Sequence, residues 1–177
     1  MRQVGPHRVL YSPSDAAIVD GLVLEVRVKR ESPGGAGQRY VYAKARGAPN
    51  VPGAWVRLHR LLLGLGRGQG QVDHINGDGL DNRRENIRAC TNSQNQMNRR
   101  KSPMQKTASR YKGVVFDAER GKWRAQLKRD GKRYRGPRRK SELQAALDYD
   151  LLAEKHFGEF ARLNFPDVVL GPDEDAW

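Results

Sequence analysis

The chain has 177 residues, a formal net charge of +13 and a mean hydropathy of −0.81, so it suits one domain or two small ones with modest cores. A single cysteine, Cys90, excludes an internal disulfide framework and a CxxC zinc pair, and its place after the apolar Ile87 reads as a small core residue. No apolar run has transmembrane length and the start is not signal-like, so a soluble, cytoplasmic protein is expected.

In chain order, Ala17 to Arg30 reads as a strand, with Val19, Leu22, Leu24, Val26 and Val28 partly in period two. Ser32-Pro33-Gly34-Gly35-Ala36-Gly37 reads as a loop, and Arg39 to Arg46 as a second strand. A short strand around Trp55-Val56-Arg57 leads into a short helix over Leu58 to Leu63, which Gly64 to Gly70 cannot continue. These residues make a small β-rich platform with no chemistry of their own in the first fifty.

The stretch from Val72 to Arg88, followed by Thr91-Asn92-Ser93-Gln94-Asn95, sets Asp73 beside His74, turns tightly at Gly77 and Gly79, and ends in a series of amides. Those groups suit holding one hard divalent cation and activating one water. Adjacent residues of a strand point to opposite faces, so Asp73 and His74 serve one site only if the following turn folds back over them. Asp73 would bind the cation, and His74, whose ordinary pKa of about 6.5 lies near working pH, would take the proton. Oxygen donors from Asp and Asn favour Mg2+ or Mn2+ over zinc.

Residues 99–109 are polar and basic and read as a linker; beyond them the pattern changes to a β-β-β-α unit. Lys122, Arg124, Gln126 and Lys128 alternate with Trp123, Ala125 and Leu127, giving a strand with one basic and one apolar face. Asp130-Gly131 supplies a hairpin turn. Ser141 and Gln144 have capping-box spacing; Leu143, Leu147 and Leu151 line one side of the helix that follows, and Ala146, Tyr149 and Ala153 extend the stripe toward the sheet. Gly158 stops the helix, and residues 167–177 form an acidic tail. The expected organisation is therefore α+β: a platform with the Asp-His site over 1–98, the linker, a sheet-type unit over 110–166, and the tail.

Charge is unevenly placed. From Arg99 to Lys140 there are 17 Lys and Arg against 3 Asp and Glu, so this segment, at +14, carries more than the whole net +13. Tyr111, Phe116, Trp123 and Tyr134 are interleaved with it, which argues for a folded basic module that meets a polyanion.

Two resemblances follow from these residues. His59-Arg60-Leu61-Leu62, Asp73-His74-Ile75-Asn76-Gly77, Asp81-Asn82-Arg83 through Asn86-Ile87-Arg88, and Ser93-Gln94-Asn95 with Asn98 resemble the HNH nucleases, the ββα-metal nucleases common among phage and intron-encoded homing endonucleases. By position, the resemblance implies His74 as general base, Asp73 and Asn95 as ligands of Mg2+ or Mn2+, and Asn86 as the amide that ties the loop. His59 matches an upstream family histidine that contacts phosphate or holds structure. The segment 110–166, with Leu163-Asn164-Phe165-Pro166 as its most specific marker, is similar to the ethylene-response-factor (Apetala) DNA-binding domain, which lays a three-stranded sheet in the major groove and backs it with one helix. That likeness makes Lys112, Arg124, Gln126, Lys128, Lys132 and Tyr134 the groove-facing candidates, with Trp123 and Tyr149 in the core. Val115 stands where the plant domains usually carry arginine, and Gly136-Pro137-Arg138-Arg139-Lys140 replaces a shorter turn, so the plant target sequence does not transfer.

Together the resemblances imply a metal-dependent endonuclease acting on double-stranded DNA, of the phage-encoded, free-standing homing type, working in the bacterial cytoplasm without a small-molecule cofactor. The competing readings are a DNA-binding regulator with a degenerate nuclease site and, more distantly, an RNA-binding protein.

Overall fold

The structure is a computed structural model that describes residues 1–29, 40–47, 53–101 and 107–168. The loop read over residues 32–37, the start of the second strand at residue 39, the centre of the linker at 102–106 and the tail from 169 lie outside the described residues. The chain divides into two compact units, Met1–Gln96 and Met97–Trp177. Among the described residues no helix is long and apolar enough to cross a membrane.

Unit 1 is built from three small sheets. Strands β1 (Arg2–Val4) and β2 (His7–Tyr11) form an antiparallel hairpin, and β2 pairs in parallel with β7 (Asp81–Asn82). Strands β3 (Val23–Lys29), β4 (Tyr40–Arg46) and β5 (Val56–Arg57) form an antiparallel sheet in that order. Strands β6 (Gln71–His74) and β8 (Ile87–Cys90) form the third, followed by helix α3 (Asn92–Met97). Val9, Val19, Leu22, Ala45, Leu58, Leu62, Val72 and Ile87 make one core that joins them.

The strand read over Ala17 to Arg30 is corrected at its start. Ala16–Asp20 is a short helix, α1, and the strand begins only after Gly21. Pro13, at the first position of a 3-10 turn over Pro13–Asp15, presets a helical φ and starts the turn despite the β-branched Ile18 and Val19. The short helix expected after β5 is α2 (Leu58–Leu62).

Unit 2 is a three-stranded antiparallel sheet, in the order β11 (Lys132–Arg139), β10 (Lys122–Arg129), β9 (Val114–Asp117), packed on helix α4 (Glu142–Phe157). The β10–β11 turn is Asp130-Gly131, both at positive φ (49° and 79°), as a two-residue hairpin loop requires. Val114, Ala125 and Leu127 meet Ala145, Ala146, Tyr149, Leu152 and Ala153. The helix stripe is thus rotated from the expected one: Leu143 is 48% exposed, and Leu147 and Leu151 are only half-buried. Small alanines let α4 approach the sheet, and the Tyr149 ring fills the space over Gly113, where an added Cβ would sit 1.9 Å from it. Ser141 is the N-cap residue, but its side chain makes no capping bond, so the capping box does not form. Instead, the buried Ser109 donates its hydroxyl to Glu142 Oε1 at 2.8 Å, and the Arg110 amide donates to the same oxygen.

The Leu163-Asn164-Phe165-Pro166 marker has a structural explanation. The buried Asp150 carboxylate accepts the backbone N–H groups of Asn164 and Phe165 (2.8 and 2.9 Å), and the Asn164 side chain bonds both the N–H and the C=O of Lys112. One carboxylate and one amide fasten the end of the unit to its beginning.

Candidate functional site

Strands β6 and β8 pair with Asp73 opposite Arg88 and His74 opposite Ile87. Between them, residues 75–86 form a loop that closes on itself. Ile75 N–H donates to Asn86 O, and Gly77 N–H donates to His74 O across a turn with φ +75° at Gly77. The Asn86 amide is the clasp: its Oδ1 accepts Asn76 N–H (3.0 Å), and its Nδ2 donates to Asn76 Oδ1 (3.1 Å) and to Asp81 O (2.7 Å). Asn76 Nδ2 in turn donates to Asp81 Oδ2. Arg83 pairs with the same carboxylate and holds Asp81 below the ordinary carboxylate range.

His74 lies inside this frame and is 3% exposed. Helix α2 sets His59, 2% exposed, edge-on against it, with ring centroids 4.9 Å apart and planes at 83°. Burial is the main cause lowering the pKa of both rings. His59 is held down to about 3, with His74, Arg57 and Arg60 adding to the effect. For His74 the Asn82 side chain and the carboxylates of Asp73, Asp78 and Asp81 oppose the shift. Both imidazoles are thus neutral at physiological pH, the form a general base needs. No hydrogen-bond partner of His59 Nδ1 is found among the described residues.

Asp73 is buried and ion-paired with Arg88, whose Nε and Nη2 donate to Oδ2 at 3.1 and 2.8 Å. Cys90, the neighbouring β8 residue, is buried, and its thiol is pushed up to about 11 by burial and by the Asp73 charge. Asn95 is half-buried on α3, the helix that follows β8. The structure therefore brings His59, His74 and the Asn86-clasped loop together, and sets Asp73 on the same strand with Arg88 as partner. Sequence reasoning missed that partner, although Arg88 lies inside the quoted motif; the hairpin register would have found it.

The cation ligands expected from the sequence are one carboxylate, Asp73, and one amide oxygen, Asn95. Among the described residues no group of three or more His, Cys, Asp or Glu side chains could hold a metal, so there is no all-protein cage. A single carboxylate and an amide oxygen are what Mg2+ or Mn2+ uses when water and substrate phosphate complete the shell.

In unit 2 the sheet has one face on α4 and one open. The register Gln126↔Arg135 and Lys128↔Arg133, with Arg124↔Arg138 beyond a bulge, places Arg124, Gln126 and Lys128 on the open face together with Arg133, Arg135 and Arg138. The structure places the other three candidates elsewhere. Lys132 pairs with Arg129 and Tyr134 with Leu127, on the α4 side; Tyr134 packs on the core and stacks on His156 at 3.8 Å. Lys112 precedes β9, is half-buried, and donates to the Met97 carbonyl, and burial lowers its ammonium pKa to about 8. Arg133, Arg135 and Arg138 were missed; the two-residue Asp-Gly turn fixes the register that reveals Arg133 and Arg135, whereas Arg138 reaches this face only through the bulge. Arg124 is held in place by donating to Gly136 O at 2.7 Å.

Residues 56–97 match the family model described as HNH endonuclease. This HNH segment spans β5 through α3 and includes His59, Asp73, His74, Asn86 and Asn95. The chain is also 37% identical, over 93 residues, to an uncharacterized HNH endonuclease of Acanthamoeba polyphaga mimivirus. That likeness covers 52% of this chain and 46% of the relative, so the chain spans less than half of the relative's length. No solved structure matches.

Proposed function

We propose that the protein is a metal-dependent DNA endonuclease that hydrolyses phosphodiester bonds, with the HNH segment as cutter and the open sheet face of unit 2 as reader of double-stranded DNA. The observation that carries the reading is the buried His59–His74 pair, with His74 leading into the Asn86-clasped loop, within the segment that matches the HNH endonucleases.

In this reading His74 accepts the proton of the attacking water, and burial keeps it neutral to do so. Asp73 and Asn95 would hold the cation, with Arg88 orienting the Asp73 carboxylate. When bound, the cation supplies Lewis-acid activation of the phosphate and stabilises charge on the leaving 3′-oxygen. Asn86 keeps the strand and loop in register so that these side chains stay in place. On unit 2, Arg124, Arg135 and Gln126 are suited to guanine and adenine edges, and Lys128, Arg133 and Arg138 to phosphate. The likeness of this unit to the Apetala-type domains and the phage-type homing role belong to the same proposal.

The test is plasmid cleavage by the full chain in Mg2+ or Mn2+ against the His74→Ala variant. Loss of the general base is expected to cost roughly 10²–10⁴ in rate while DNA affinity stays within a few-fold. Near-normal turnover by the variant removes His74 from the mechanism, and absence of cleavage by the wild type favours a DNA-binding regulator.

A further inference from the structure

By register, the open face of the unit 2 sheet carries Lys122, Arg124, Lys128, Arg133, Arg135 and Arg138, and one carboxylate among the described strand residues, Asp117. Asp117 ends β9 opposite Lys122, on the same side as Val115 and Arg124. Arg138 Nε donates to its Oδ2 at 3.0 Å, and Arg120 Nη1 lies 3.7 Å from the same oxygen. The Arg138 bond, with Arg120 nearby, holds the carboxyl below its ordinary range, so Asp117 is charged at any pH where the face meets DNA.

A carboxylate repels the phosphates that such a face would receive. Arg124 and Arg138 stand opposite each other across β10–β11, a like-charged pair whose heads repel. Each head is held through Nε: Arg138 by Asp117, and Arg124 by Gly136 O at 2.7 Å. Gly136 and Pro137 together face Ala125 in the bulge, which supplies that carbonyl and brings Arg138 level with Arg124. Both bonds use Nε and leave the paired Nη groups of the guanidinium for a ligand. An arginine fixed beforehand has less rotamer freedom to lose when the duplex arrives.

We propose that Asp117 is a positioning residue of the reading face: it holds the Arg138 guanidinium ready for one phosphate of the duplex and clear of Arg124, and so sets the register in which Arg124 meets the base edges. The inference rests on the reading of unit 2 as the DNA reader. Phosphate contacts fix register and base contacts specify; Asp117 joins the two by tying down the anchor. The carboxylate lowers general affinity and raises selectivity, so its loss moves the two in opposite directions.

The experiment selects duplexes from a randomised pool with the full wild-type chain, then measures affinity for a selected duplex and a scrambled one of the same length against salt concentration. In Asp117→Asn the scrambled duplex should bind as tightly as before or a few-fold tighter, with no fall in salt slope, because no cation is lost. The selected-to-scrambled ratio should fall roughly ten-fold, the scale of one degraded base contact. Arg138→Gln should lower the ratio too, and the slope of log affinity against log salt by about 0.9. Adding Asp117→Asn to Arg138→Gln should lower the ratio no further, since the carboxylate acts through that guanidinium. If Asp117→Asn melts early, Arg138→Lys carries the test: it keeps the charge and the slope, loses the Nε bond, and must show the same fall in ratio. An unchanged ratio, which is what a merely structural ion pair would give, or a further fall in the double variant overturns the role. A wild type that selects duplexes but cleaves none overturns the nuclease reading and leaves the role of Asp117 standing. A wild type that selects no duplex overturns the reader and the proposal together.

Discussion

Asn86→Ala tests whether the clasp, rather than the chemistry, is what that residue contributes. Three hydrogen bonds end on its amide, two to Asn76 and one to Asp81 O, and the side chain is buried. At about 1 kcal/mol net for each bond, with the Asn76 N–H and Asp81 C=O left wanting partners, the loss is about 2–3 kcal/mol. For a unit of this size that lowers the melting temperature by roughly 10–20 °C. Calorimetry of the full chain should show the unit 1 transition move by this amount while that of unit 2 stays in place. Amide hydrogen exchange of the Ile75 and Asn76 N–H groups should accelerate in the same variant. Asn86→Asp keeps the acceptor for Asn76 N–H but sets a carboxylate against Asn76 Oδ1 and Asp81 O, so it recovers at most one of the three bonds. An Asn86→Ala protein that melts with the wild type, and protects those amides as well, refutes the clasp.

Three further outcomes are expected. His59 is held at about 3 against an ordinary 6.5, so the unfolded chain binds the extra proton between those values; stability is full above pH of about 6.5 and falls as pH drops toward 3, by up to about 1.4 kcal/mol per pH unit. His59→Phe should therefore flatten the acid side of the unit 1 stability curve, and an unchanged acid slope would show that His59 is not buried neutral. Gly113→Ala should destabilise unit 2 by about 2–5 kcal/mol, since it forces a side chain to φ +70° and a Cβ to 1.9 Å from Tyr149; a wild-type melting profile would refute the packing. Arg135→Ala should weaken duplex binding and relax preference at a particular base pair, by roughly 1–3 kcal/mol for a bidentate contact, whereas Lys132→Ala stays within a few-fold; the reverse order in a binding titration would refute the face assigned by the register.

What could be read from the chain depended on how local the cause was. The β10 alternation and the Asp130-Gly131 turn are set by neighbours, and both appear where the residues say they should. Lys132 and Tyr134 were carried over by likeness, whereas the turn itself dictates the pairing that puts Arg133 and Arg135 on the open face. Helix α1 was hidden because Ile18 and Val19 favour a strand, and a proline three residues upstream of the helix decided otherwise. The stripe of α4 turned because Tyr149, the largest side chain, takes the one gap that Gly113 opens.

The site shows the same division. Its residue types stand in the sequence, but what holds them is remote. The Arg84 amide donates to Ser12 Oγ at 2.8 Å, and the Arg84 guanidinium forks onto the buried Asp15, 69 residues away. Beside them β2 pairs with β7, Leu10 opposite Asp81 and Tyr11 opposite Asn82. The N-terminal segment, which bears no chemistry of its own, thus grips the 75–86 loop from outside while Asn86 ties it from within. A loop of some twelve residues has ample freedom to let His74 drift from His59, and two independent fastenings remove that freedom. The platform is part of the site in this sense: it supplies none of the reacting groups and fixes where they stand.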